Sequence, residues 1–226
     1  MKYTQHEAEH EVTLSPQAPA TAVIILLHGL GADGWDFVPI VNELGLPDSV
    51  PVRFVFPHAP VRPVTVNGGY KMRAWYDIRS FTPEGRADAA GLAEASRRTA
   101  EYIRRETDAG VPASRVVLAG FSQGGAVALE AGLRYPDRLA GILAMSTYLP
   151  FPETLAVERA AANEDVPILM CHGREDPMVP FWMGTECRDA LTSLGYPVEW
   201  HDYPMQHEVC MAELADVSRW LRARLA

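Results

Sequence analysis

Basic charge, cysteine and long apolar runs are all scarce in this sequence. Among 226 residues, 20 Lys and Arg face 29 Asp and Glu, a formal charge of −9. Such a balance repels phosphate backbones and anionic lipid surfaces, so neither nucleic acid nor a membrane surface is expected as the main partner. The three cysteines, Cys171, Cys187 and Cys210, are an odd number with no C-x-x-C pair. A disulfide framework is therefore not expected, and a reducing, cytoplasmic setting is. The longest aliphatic run, Ala22–Leu27, is far short of the ~20 residues of a membrane-spanning helix. The opening stretch MKYTQHEAEH has no apolar core of the kind a secretory signal needs. Repeats, low-complexity tracts and evident linkers are also missing, and a chain of this length suits a single domain over residues 1–226.

What is present is an alternation of short apolar runs with helix-like stretches. Strands are expected at Val23–Leu27, Val52–Phe56, Val116–Ala119, Leu139–Met145, Val166–Cys171 and Val198–Tyr203. Most lack polar alternation, as befits strands covered on both faces. Glu9–Leu14 alternates and suits an edge strand. Helices are expected at Ala89–Thr107, Gln123–Tyr135, Trp182–Leu194 and Met211–Leu225. This order implies a mostly parallel sheet with helices on both faces. The segment Pro57–Pro83, rich in Pro and Gly, reads as a long loop over a site.

The pentapeptide Gly120-Phe-Ser122-Gln-Gly124 stands between an expected strand and an expected helix. In that setting G-x-S-x-G is a nucleophile elbow: small flanking residues let the backbones approach, and the serine is held above the sheet edge at a helix N-terminus. A plain glycine turn is the bland alternative. A serine needs a base, and of seven histidines only His172, His201 and His207 follow it. His207 lies just past the last expected strand and is the expected base; His172 and His201 read as packing residues. The base needs a carboxylate partner. Asp176, in the loop after Val166–Cys171, is preferred over the adjacent Glu175 and over Asp202. For the oxyanion, the Gln123 amide next to the nucleophile is one expected donor, and the loop His28–Gly34 supplies the other, with Leu30 preferred.

Two motifs compete with this reading. Gly29-Leu-Gly31-Ala-Asp-Gly34 matches G-x-G-x-x-G, but the following strand ends without the acidic residue a dinucleotide site uses. His6-Glu-Ala-Glu-His10 matches H-E-x-x-H, yet it abuts an expected edge strand and has no evident third ligand. Neither a metal nor an organic cofactor is expected.

Several blocks taken together resemble the bacterial carboxylesterase, acyl-protein thioesterase and lysophospholipase family of α/β-hydrolases. They are LLHGLGADG, FPHAPVRPVTVNGG, AWYDI at Ala74–Ile78, GFSQGGAVAL, STYLP at Ser146–Pro150, HGREDPMVP and YPMQHEV, spread over nearly the whole chain. The resemblance implies an α/β-hydrolase fold without a large cap domain and a triad of Ser122, Asp176 and His207. It implies an oxyanion hole from the Leu30 and Gln123 amides, and an acyl channel bordered by Pro60–Ile78 and the turn at Tyr148-Leu149, with Trp75 and Leu149 as pocket residues. Glu208 after the base, and the Asn67-Gly-Gly-Tyr70 stretch, depart from the eukaryotic members. The expected activity is hydrolysis of short- to medium-chain carboxylic esters through an acyl-enzyme. The alternative is an acyl-protein thioesterase or lysophospholipase acting on long acyl groups. The substrate is thus a small ester or acyl compound, and a homodimer through apolar residues beside the channel is left open.

Overall fold

A computed structural model describes residues 3–80 and 88–225. The chain opens with an antiparallel hairpin, β1 (Tyr3–Ala8) and β2 (Glu11–Pro16), then runs through β3 (Ala22–Leu27) and β4 (Val52–Pro57). A second, separate hairpin follows, β5 (Val61–Val64) and β6 (Tyr70–Arg73). After it come α1 (Ala89–Asp108), β7 (Val116–Phe121), α2 (Gln123–Arg134), β8 (Gly141–Met145), α3 (Pro152–Glu158), β9 (Ile168–Gly173), α4 (Phe181–Ser193), β10 (Val198–Tyr203) and α5 (Met211–Leu225). The eight-stranded sheet has the order β1-β2-β4-β3-β7-β8-β9-β10. From β4 to β10 every neighbouring pair is parallel, and β2 is antiparallel to β4.

The unbroken apolar runs become strands because both faces of the sheet are covered. All six residues of β3 are buried. Val23, Ile25 and Leu27 join a core with α1, α2 and α4, while Ala22, Ile24 and Leu26 join a second core under α5 and the Phe37–Leu46 stretch. The period of two along a strand thus feeds two cores at once. On α1, Leu92, Ala95, Thr99 and Ile103 are buried at helical spacing. The mid-sheet helix α2 is buried almost throughout, which its Gly- and Ala-rich sequence permits.

Two expectations change. The single edge strand at Glu9–Leu14 is a hairpin that turns at residues 9–10, with Val12 and Leu14 of β2 facing the core. His6 therefore lies on β1 and His10 in the turn, and the two do not share a helix face. Within Pro57–Pro83, residues 61–73 form the β5–β6 hairpin, closed by Gly68 and Gly69 at φ 65° and 78°. Its strands are only four residues long and one contains a proline, too little for a period to register; residues 81–83 lie outside the described residues. The G-x-G-x-x-G segment leads from β3 into turns and a 3-10 helix at Val38–Val41, not into an α-helix whose N-terminus would face a pyrophosphate. No helix among the described residues is long and apolar enough to cross a membrane.

Glu213 lies in the first turn of α5 and is fully buried beneath the end of β9. Burial pushes its carboxyl up from 4.5 to about 8, and the Cys210 backbone and Cys171 thiol pull the other way without cancelling it. Tyr203 and Asp216 complete the surroundings: the tyrosine hydroxyl donates to Asp216 at 2.9 Å and lies 3.7 Å from the Cys171 sulfur. Between about pH 4.5 and 8 the folded chain keeps a proton that the unfolded chain has lost, so stability falls as pH rises through that window. Melting temperatures at pH 5.5 and 8.5 are expected to fall further for the wild type than for Glu213→Gln, by roughly 5 °C. Parallel profiles for the two proteins would contradict the buried, protonated assignment.

Candidate active site

The serine elbow is built by a close approach of three backbones. A Cβ on Gly120 would stand 2.2 Å from the Gly124 carbonyl oxygen, and one on Gly124 would stand 2.2 Å from the Leu27 oxygen at the end of β3. Only glycine fits at either place. Between them Ser122 adopts φ 54° and ψ −120°, a strained backbone for a residue with a side chain. Its amide donates to the Met145 oxygen at 2.8 Å, and the Thr147 hydroxyl donates to its carbonyl at 2.7 Å. The next strand repeats the device: Ser146, at φ 46°, donates its amide to the Cys171 oxygen at 2.8 Å. The ends of β7, β8 and β9 are stitched in sequence along the carboxyl edge of the sheet.

That stitching brings three distant side chains together. His207 Nε2 lies 2.9 Å from Ser122 Oγ, and His207 Nδ1 lies 2.6 Å from Asp176 Oδ2. The Asp176 loop follows β9 and the His207 loop follows β10. The loops are pinned by Arg174 N–H on the Tyr203 oxygen (2.8 Å) and Glu175 N–H on the Met205 oxygen (3.1 Å). Gly173 permits this contact, since a Cβ there would meet the Gln206 oxygen at 2.3 Å. Asp176 Oδ1 accepts the amides of Met178 and Val179, both at 2.8 Å. Burial pushes the Asp176 carboxyl up, but the hydrogen bonds from His207 and from these amides outweigh it and hold it below its ordinary value. Phe121 packs against the His207 ring, with centroids 4.7 Å apart.

The competing residues are occupied elsewhere. Glu175 is exposed, and Asp202 pairs with Arg174 at 2.8 Å. His201 sits in a surface charge cluster with Glu199, Asp216 and Arg219. His172, the expected packing residue, is buried, and its Nε2 lies 2.9 Å from the Val179 oxygen. Burial lowers its pKa, so the ring is neutral and its Nε2–H donates to that carbonyl, steadying the turn that holds Asp176.

The loop after β3 borders the elbow: a Cβ on Gly29 would stand 3.5 Å from Ser122 Cβ. Among the described residues neither the Leu30 nor the Gln123 amide has an acceptor within the protein. Gln123 is the first residue of α2, where the helix N-terminus adds positive potential. Trp75 and Leu149, expected at the pocket, are 2% and 9% exposed and belong to the core between the sheet and α1, α2 and α4. Trp75 spends its indole N–H on the His28 oxygen at 2.8 Å. An aromatic in a block shared with a hydrolase family suggests a pocket; nothing in the local sequence announces a backbone partner 47 residues away.

A family model described as phospholipase/carboxylesterase matches residues 8–225. The chain belongs to the phospholipase/carboxylesterase family. It is 40% identical to acyl-protein thioesterase 1 of Neurospora crassa over 216 residues, covering 91% of this chain and 87% of the relative. Acyl-protein thioesterase 1 of Yarrowia lipolytica is 36% identical, covering 95% and 96%. Among solved structures, Arabidopsis thaliana SOBER1 superimposes with a TM-score of 0.86 at 31% identity, covering 91% of this chain and 99% of that one. This family member has the α/β-hydrolase fold, with no large cap domain among the described residues, and it is a serine hydrolase acting on esters or thioesters.

The elbow's tolerance is testable directly. Gly124→Ala is expected to lose roughly 1–3 kcal/mol in urea unfolding, because the atom it meets is a strand carbonyl that cannot swing aside. An unchanged midpoint would show that β3 and α2 can part.

Proposed function

We propose that the protein is an acyl thioesterase for long acyl chains, working through an acyl-serine formed on Ser122. The observation that carries the mechanism is the continuous hydrogen-bonded line from Ser122 Oγ through His207 to Asp176. His207 Nε2 takes the hydroxyl proton as Ser122 Oγ bonds to the acyl carbon. The oxyanion that forms is received by the Leu30 and Gln123 amides. The carbon–sulfur bond then breaks, and His207 returns the proton to the leaving thiolate. Water repeats the sequence, with His207 as base, and releases the carboxylic acid and the free serine. Asp176 stays ionised throughout, holds the imidazole with Nδ1–H towards itself and stabilises the imidazolium. Short- to medium-chain esters, the class expected from the sequence, share this chemistry; the names carried by the fungal relatives favour acyl-protein thioesters.

Turnover of octanoyl and palmitoyl thioesters against p-nitrophenyl butyrate separates the two substrate classes. The thioesterase reading expects kcat/KM for the longer thioesters to exceed that for the butyrate ester; a profile that peaks at butyrate with no palmitoyl turnover overturns it. Ser122→Ala is expected to lower kcat by at least about 10⁴-fold on every substrate and to abolish labelling by a fluorophosphonate. Asp176→Asn, which accepts from His207 without a charge, is expected to lower kcat by about 10⁴-fold while the protein stays folded. Full activity in either variant would remove that residue from the mechanism.

A further inference from the structure

We propose that His28, Trp75 and the side chain of Gln123 form one hydrogen-bonded circuit that aims both N–H groups of the oxyanion hole. This rests on the oxyanion role given above to the Leu30 and Gln123 amides. All three side chains are buried, His28 and Gln123 at 1% exposure and Trp75 at 2%.

The circuit starts at the Gly29–Leu30 peptide. The Gly29 oxygen accepts from His28 Nδ1 at 2.7 Å and from the Ala32 amide at 3.3 Å. The peptide is planar and trans, so its N–H, on Leu30, points away from the oxygen that those two donors grip. Holding one end of the plane sets the direction of the other. The tautomer this requires is enforced from behind. His28 Nε2 accepts the Ala59 amide at 3.0 Å, which leaves the ring proton on Nδ1. Burial lowers the pKa of this ring to about 4, although the Gly29 bond pulls upward, so it stays neutral with a single proton.

From His28 the circuit crosses to the other donor. The His28 carbonyl accepts Trp75 Nε1–H at 2.8 Å. The Trp75 amide donates to Gln123 Oε1 at 2.9 Å, and Gln123 Nε2 donates to the Tyr76 oxygen at 2.8 Å. The amide side chain of Gln123 thus clasps residues 75 and 76 with both its ends, while its own backbone N–H is the second oxyanion donor. Among the described residues, neither His28 nor Trp75 makes a hydrogen bond to Ser122, Asp176 or His207. They are positioning residues. Leu30 and Gln123 lie on segments that reach the site from different strands, β3 and β7, so their separation needs a brace. An oxyanion is more sensitive to that separation than a ground-state carbonyl, and the effect falls on kcat rather than KM.

The test compares Trp75→Phe, which keeps an aromatic ring but loses the pyrrole half of the indole with its N–H, with Gln123→Met, which keeps the length and removes both amide contacts. The readouts are kcat and KM on p-nitrophenyl octanoate and inhibition by an octyl trifluoromethyl ketone, whose adduct with serine carries the oxyanion. Each variant is expected to lose about 10–100-fold in kcat with KM within about 3-fold, and to bind the ketone more weakly in proportion. The double variant is expected to lose little more than the worse single one, since either change opens the same circuit. His28→Asn, whose side-chain N–H stands close to the lost Nδ1–H, is expected to recover part of the kcat lost in His28→Ala. Should Gln123→Met fail to melt cooperatively, Trp75→Phe with the His28 pair carries the same measurement. With the wild type active and Ser122→Ala silent, unchanged kcat and ketone affinity in Trp75→Phe, or losses that multiply in the double variant, overturn the circuit and leave the acyl-serine reading standing. A wild type inert to both ester and ketone overturns that reading and the circuit with it.

Discussion

Everything at the catalytic edge depends on one contact, the approach of the β7–α2 turn to the end of β3. Gly120 and Gly124 admit no side-chain atom there, and the peptide path between them forces Ser122 into a left-handed backbone. A strained residue of this kind persists only if its surroundings over-determine it. Here they do: the Ser122 amide is held by β8, and its carbonyl is held by Thr147. The strain places the serine hydroxyl beside the loop that follows β3, where the Leu30 amide has no acceptor among the described residues.

The electrostatics of the edge follow from the same geometry. A carboxylate as enclosed as Asp176 is unfavourable unless several donors replace its lost water. It receives three, from His207 and from the Met178 and Val179 amides. The two backbone donors come from the aspartate's own turn, two and three residues along the chain. His172 holds the far end of that turn through the Val179 carbonyl. A neutral buried histidine thus supports a buried charge without competing for it.

Much of the fold was readable because its strands are buried on both faces. Runs such as Val23–Leu27 and Val116–Ala119 show no alternation, and only a sheet between two helical layers makes such runs stable. The β5–β6 hairpin and α3 escaped because they are short and their apolar residues are too few to show a period. At the site, Ser122, His207 and Asp176 stood out through order along the chain and position after strands. Choosing Asp176 over Glu175 rested on loop position, whereas in the folded chain Asp176 is buried and Glu175 exposed. Trp75 shows the limit of such reading. Its block is recognisable, but its burial behind the loop after β3 depends on contacts with His28 and Gln123 that no local pattern encodes.

The order of amino acids alone therefore determined the layered α/β architecture, the elbow and the residue types able to run acyl transfer. Those properties follow from burial period, glycine placement and side-chain chemistry, all of which act over a few neighbouring residues. Tertiary structure alone decided distances: which carboxylate meets the imidazole, and which tautomer His28 holds. Those depend on how separate loops pack at the edge of one sheet, and hydrogen bonds of 2.6–2.9 Å between residues 31 and 85 positions apart exist only once that packing is complete.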